Sequence, residues 1–336
     1  MHSVWLDAAF LVVGLAALAW SSDFFVAGAA ALAKALRISP FIVGMVVIGF
    51  GTSAPELCVS VLSGISGHAN LSIGNAYGSC SFNIAVIIGV AALISPVVVK
   101  PSAAFVAGPG LVAVALFSAW LFRDGACSRP DAVVMLVLFA VLLPLYCWFD
   151  RKSGAPAADA PQSAMGGVGA AVVKTVVGLA VLVGSSYVLV EGAVGVARFF
   201  GVSDLLIGLT VVAVGTSLPE LASAVASARR GEHEFVIGNI VGSNLFNTLA
   251  VVGLACVISP AVPGTGADGS AVPAFSRYIL TRDLPMMAVF SLAITVLGAN
   301  WRNLRAPGSI GRAKAAFLLV AFAAYAFLMF VQETGG

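Results

Sequence analysis

The stretch "GFGTSAPEL", residues 49–57, lies between apolar runs yet carries Gly49, Gly51, Thr52, Ser53, Pro55 and Glu56. Hydrocarbon has no use for these residues: a carboxylate near the bilayer centre costs about 2.5–3.5 kcal/mol on insertion scales, and a proline removes a backbone donor from its helix. A second stretch, "AVGTSLPEL" at 213–221, repeats the chemistry in similar surroundings. Aligning the two sets an offset of 164 residues that holds without a gap for 42–96 against 206–260, with 23 identities in 55 pairs. "SSDFFVAGA" (21–29) pairs with "SSYVLVEGA" (185–193) at the same offset, so the repeat is half a protein and not one motif.

Those surroundings are membrane-like. Of 336 residues, 60% are hydrophobic and 10% charged, and the mean hydropathy is +1.05, far outside the range of a soluble domain. A crossing helix needs about 20 apolar residues, and ten segments qualify, at 5–34, 40–65, 70–94, 103–122, 131–149, 167–198, 204–228, 235–258, 279–298 and 312–332. Their long continuous runs lack the alternation of barrel strands. The expected fold is therefore an all-α membrane protein of ten transmembrane helices. Residues 1–150 form a first five-helix repeat, 151–167 a short cytoplasmic linker rich in Ala, Gly, Pro and Ser, and 168–336 the second repeat.

Five helices per half force the halves into opposite orientation, giving a 5+5 inverted-repeat bundle, the architecture of alternating-access transporters. With the N-terminus outside, Lys34, Arg37, Lys100, Arg151, Lys152, Lys174, Arg229, Arg230, Arg302, Arg305, Arg312 and Lys314 collect at the cytoplasmic side. Arg123, Arg129, Arg198, Arg277 and Arg282 remain outside, so both termini are placed there. The start "MHSVWLDAAF" has neither a basic region nor a clear cleavage site, and it reads as part of the first helix.

Pro55 and Pro219 should break or kink their helices near 49–55 and its equivalent, freeing carbonyl oxygens beside Thr52, Ser53 and Glu56, and beside Thr216, Ser217 and Glu220. No Lys or Arg lies in the central part of either motif helix, so a mobile cation is the expected partner of the two carboxylates. The next helix of each half, "GNAYGSCSFN" (74–83) and "GNIVGSNLFN" (238–247), puts Ser79 with Asn83 and Ser243 with Asn247 on one face. Carboxylates, hydroxyls, carbonyls and amides are hard-oxygen ligands that suit Ca²⁺. Asp23 and Glu191 occupy non-equivalent positions in the first and sixth helices, where an interhelical hydrogen bond or an interfacial place explains them.

Other chemistry fits poorly. "GFGTSA" satisfies G-x-G-x-x-A, but a dinucleotide fold needs a strand and a soluble parallel sheet. The five cysteines lack metal-type spacing, and His2, His68 and His233 fall near helix ends, where they read as solvated. The chain is not read as an enzyme, and no cofactor, nucleic acid or obligatory protein partner is expected.

The paired motifs, GTSxPE followed by GNxxGSxxFN in each half, strongly resemble the cation/calcium antiporter superfamily, in its sodium/calcium exchanger branch. The resemblance implies that Glu56 and Glu220, with the backbone oxygens of Thr52 and Thr216, hold Ca²⁺. It also implies that Gly49, Ser53, Ser79, Ala213, Ser217 and Ser243 help hold Na⁺, with Asn83 and Asn247 in support. Some relatives carry Asp at the position of Asn247; the Asn here weakens any case for potassium coupling. The implied activity is Na⁺/Ca²⁺ antiport in the plasma membrane, a bacterial or archaeal inner membrane, with H⁺/Ca²⁺ or other divalent-cation antiport as the alternative.

Overall fold

The computed structural model describes residues 4–66, 69–152, 167–200, 213–265, 271–272 and 276–334. Among them, eight helices are long and apolar enough to cross a membrane: Val4–Leu36, Ser72–Ile94, Ala103–Asp124, Arg129–Arg151, Gly167–Phe199, His233–Ile258, Ile279–Gly298 and Arg312–Gln332. The bent pair Pro40–Thr52 and Ala54–Ile65, which meet at 45°, makes a ninth where the two are counted as one span. The seventh expected segment appears as Ala213–Thr216 and Leu218–Arg229; its start, and most of the expected linker, lie outside the described residues.

Local sequence explains where these helices begin and end. Ser39 caps the bent span by accepting a hydrogen bond from the Ile42 N–H at 3.2 Å, and Pro40 fills the first helical position, where its missing donor costs nothing. Ser95 and Ser259 precede Pro96 and Pro260 and are extended, with φ, ψ of −143°, 128° and −132°, 98°, ending their helices at equivalent places. Between the helices of this all-helical membrane protein lie two very short strand pairs. Val97–Val99 pairs antiparallel with Gly308–Ile310, and Gly264–Thr265 with Ala271–Val272. Backbone leaving a helix still carries its donors and acceptors, and the β-branched run Val97–Val99 satisfies them by pairing.

The chain divides into two compact units, Met1–Glu56 with Gly154–Gly242, and Leu57–Ser153 with Ser243–Gly336, so each draws on both sequence halves. In the first unit, Val4–Leu36 packs along Gly167–Phe199 with the repeat's symmetry written into the contact. A Cβ added to Gly14 would come within 2.6 Å of the Leu189 nitrogen, and one on its equivalent, Gly178, within 2.7 Å of Phe25 Cα. Phe25 and Leu189 are themselves repeat equivalents, as are Gly28 against Thr175 and Gly192 against Leu11. Ser21 and Ser185, equivalent to each other, meet through their hydroxyls at 3.4 Å. Two equivalent residues touch only where a two-fold axis passes between them, so within this unit the two helices cross on a pseudo-two-fold axis.

The second unit pairs Ala103–Asp124 with Ile279–Gly298, where the Thr295 hydroxyl donates to the Ala104 carbonyl at 2.7 Å. Gly89 packs on Leu319, and its equivalent Gly253 packs on Leu136, so Arg312–Gln332 and Arg129–Arg151 play corresponding parts. Both outer helices expose large apolar side chains, among them Val133, Val137, Val141, Phe317, Val320 and Phe327. That is the surface hydrocarbon would cover.

Candidate cation site

Both motif helices break, and at equivalent serines. A wide π-helical turn over Gly44–Gly49 precedes Phe50–Thr52; Ser53 then departs to φ −81°, ψ 9° before Ala54–Ile65 begins. In the other repeat Ser217, at φ −91°, ψ 7°, separates Ala213–Thr216 from Leu218–Arg229. The break expected near 49–55 is thus centred on Ser53, with the backbone already widened into a π-helical turn through Gly49. Equivalent π turns recur at Asn83–Ile87 and Phe246–Val251, each beginning beside the Asn of the FN pair. Such turns in membrane helices commonly mark functional sites, because they loosen the regular ladder.

The breaks bring the two acidic residues into one arrangement. Glu56 is fully buried and Glu220 is 1% exposed. The Ser53 hydroxyl donates to Glu220 Oε1 at 2.8 Å, and the Ser217 hydroxyl donates to Glu56 Oε1 at 3.3 Å. Each serine stands three residues before the glutamate of its own repeat and bonds the glutamate of the other, so the two motifs are tied crosswise. Each carboxylate also accepts a bond from its own backbone N–H, the group that would otherwise bond the carbonyl of Thr52 or Thr216 four residues back.

The second oxygen of each carboxylate, Glu56 Oε2 and Glu220 Oε2, has no hydrogen-bond donor among the described residues, and neither group has an ion-pair partner there. A buried carboxylate oxygen without a donor is expensive, and two side by side are more so. A hard cation is the kind of partner that would meet that demand. Among the described residues no group of three or more His, Cys, Asp and Glu could hold a metal, so the chemistry here is that of two carboxylates with neutral oxygens.

The expected residues divide between the two units. Gly49, Thr52, Ser53, Glu56, Ala213, Thr216, Ser217 and Glu220 belong to the first, and Ser79, Asn83, Ser243 and Asn247 to the second. Within the second unit all four are buried. Asn83 Nδ2 donates to Asn244 Oδ1 at 3.5 Å, while Asn83 Oδ1 and both polar atoms of the Asn247 amide have no partner among the described residues. The Cys80 thiol donates to the Asn244 carbonyl at 3.7 Å and meets the Thr248 hydroxyl at 3.4 Å. Cys80 and Asn244 are repeat equivalents, so this unit too has a contact between equivalent residues.

Three groups were not singled out from the sequence. Asn239 and Asn244 lie in the "GNIVGSNLFN" stretch, and Thr248 follows it; only their place beside the motif could have marked them. Asp23 is half-buried and Glu191 exposed, and neither makes a hydrogen bond or ion pair among the described residues, so of the two expected explanations the interhelical bond is not seen there and the interfacial place is left. The buried carboxylate of the first helix is instead Asp7, seated against Gly195, where a Cβ would lie 2.3 Å from its Cγ. His233 opens its helix and is partly buried, whereas His2 and His68 lie outside the described residues.

Comparison with known proteins gives a consistent picture. The family described as sodium/calcium exchanger protein matches residues 6–148 and 170–331. A protein of Alkalimonas amylolytica named CaxA is 38% identical over 328 residues, 96% of this chain and 98% of that one. The inner membrane protein YrbG of Escherichia coli (strain K12) is 33% identical, covering 90% of this chain and 91% of its own length. Among solved structures, the sodium-calcium exchanger NCX_Mj soaked with Na⁺ and Sr²⁺ superposes with a TM-score of 0.77 at 26% identity, covering 98% of this chain and 99% of that one.

Proposed function

We propose, for a chain that belongs to the sodium/calcium exchanger protein family, that it moves Ca²⁺ across a membrane in exchange for Na⁺ by alternating access. The family is one of transporters, and the observation that carries the finer reading is the pair of buried, cross-bonded carboxylates, each with one oxygen left without a donor. Ca²⁺ takes six to eight oxygens at about 2.3–2.6 Å. Glu56 and Glu220 with the carbonyls of Thr52 and Thr216 supply its core, and the two carboxylate charges neutralise it. Na⁺ uses an overlapping set, with Gly49, Ser53, Ser79, Ala213, Ser217 and Ser243 as ligands and Asn83 and Asn247 in support.

Coupling follows from electrostatics. Two bare carboxylates resist exclusion of water, so the bundle closes over the site only when cations compensate them. One site loaded alternately with Ca²⁺ and Na⁺ then carries each in turn. The sequence halves act as two five-helix repeats joined at 151–167, ten helices in all, with both termini outside and the bacterial or archaeal inner membrane as the location. Cysteine labelling from either side of intact cells, at positions in 300–306 and at the N-terminus, tests this orientation.

The deciding experiment is radioactive calcium uptake into proteoliposomes loaded with Na⁺, K⁺ or choline, or under a pH gradient. Uptake that requires outward Na⁺ supports the proposal. Uptake driven by an outward proton gradient shifts the coupling ion to H⁺, and uptake that needs no counter-ion gradient replaces exchange with a channel.

A further inference from the structure

Asn239 is 1% exposed and stands one helical turn before Ser243. Its amide nitrogen donates to the Glu220 carbonyl at 3.3 Å and to the Ser223 hydroxyl at 3.1 Å, both in the helix that carries the second carboxylate. Its amide oxygen accepts from the Thr52 hydroxyl of the other repeat at 3.3 Å, a proton Thr52 shares with the Ile48 carbonyl at 2.9 Å. An Asn amide has two N–H donors and one carbonyl, and here all three are used.

The helix bearing Asn239 is seated without slack. Cβ atoms on Gly238 and Gly242 would lie 2.4 Å from the Phe41 carbonyl oxygen and 2.1 Å from that of Met45, on the stretch leading to Thr52. We propose that Asn239 is a positioning residue of the ion site, tying the Thr52 turn of one repeat to the Glu220 turn of the other and so fixing the spacing of their oxygens. The tie belongs to the second repeat. The equivalent of Asn239 is Asn75, and Val59 stands where Ser223 would be, so the first repeat has no hydroxyl for that bond; Asn75 Nδ2 has no partner among the described residues.

This rests on the reading that Glu56 and Glu220 hold Ca²⁺, and the test separates the two. Calcium binding to the purified full-length protein is measured by calorimetry in Na⁺-free buffer for wild type, Asn239→Ala, Asn75→Ala, Thr52→Val and the Thr52→Val/Asn239→Ala double variant, with Sr²⁺ titrated in parallel. Groups that orient metal ligands are worth roughly 10–100-fold in affinity. Asn239→Ala is therefore expected to weaken Ca²⁺ binding at least about tenfold and more than Asn75→Ala does. It should change the Ca²⁺/Sr²⁺ preference, and it should be non-additive with Thr52→Val.

An Asn239→Ala protein that melts earlier yet binds Ca²⁺ within twofold of wild type overturns the inference and makes Asn239 purely structural. If that variant fails to fold, Ser223→Ala, which leaves Asn239 in place, decides: weakened binding supports the tie and unchanged binding removes it. Absence of Ca²⁺ binding in wild type overturns the calcium reading together with the inference, and it shows before any variant is measured.

Discussion

Replacing Glu220 by Gln removes one of two buried negative charges while keeping the side chain's shape and an oxygen for the Ser53 hydroxyl, which now donates to Glu220 Oε1 at 2.8 Å. A unit charge about 4 Å from another at an effective dielectric of 20 contributes about 4 kcal/mol. Ca²⁺ carries two charges, so at about 1.4 kcal/mol per decade this predicts at least roughly a thousandfold loss of Ca²⁺ affinity. Glu56, bonded at 3.3 Å by Ser217 in the mirrored arrangement, should lose a comparable amount as Gln. Stability should move the other way. Glu220 Oε2 has no donor among the described residues, so neutralising it relieves an uncompensated buried charge, and without Ca²⁺ the variant should melt no earlier than wild type. The assay is calcium calorimetry in Na⁺-free buffer together with thermal melting with and without Ca²⁺: wild type should gain stability on binding and either variant should not. Binding of Ca²⁺ by Glu220→Gln within tenfold of wild type would refute the reasoning, because the carboxylate would then not face the ion.

Further expectations concern the scaffold. Gly192→Ala puts a Cβ 2.5 Å from the Leu11 nitrogen and should lower the melting midpoint by the equivalent of about 1–3 kcal/mol. Gly184→Ala on the same helix meets nothing within 4 Å among the described residues, so its midpoint should hold or rise. Cysteines replacing Ser21 and Ser185 in a background free of native cysteines should cross-link under diamide, read as loss of two free thiols in the mass spectrum, since the native hydroxyls meet at 3.4 Å. Tyr325→Phe removes a hydroxyl that donates to Asp283 at 2.9 Å beside the Arg282–Asp283 ion pair, and it should cost about 1–3 kcal/mol in thermal or denaturant unfolding while leaving Ca²⁺ affinity unchanged.

Much of this protein is legible in one dimension because the bilayer imposes a one-dimensional rule. A span must be apolar and must satisfy its own backbone, so segment positions follow from hydropathy, and GTSxPE stands out because polar and helix-breaking residues there go against the environment. The offset of 164 residues carried further than composition could, relating the two halves residue by residue, and the structure adds that some equivalent residues meet. Ser21 meets Ser185 and Cys80 meets Asn244 at that separation.

What only the tertiary structure decided is which atoms answer which. Nothing in the order of residues says that Ser53 bonds Glu220 and not the Glu56 three residues away, or that Asn239 reaches Thr52. Those partners are chosen by a helix break at Ser53 and by backbones brought together at Gly238 and Gly242. Hydropathy and repeat spacing report what a residue costs in lipid. Hydrogen bonds are short and directional, so their pairing is fixed only once packing has set the distances.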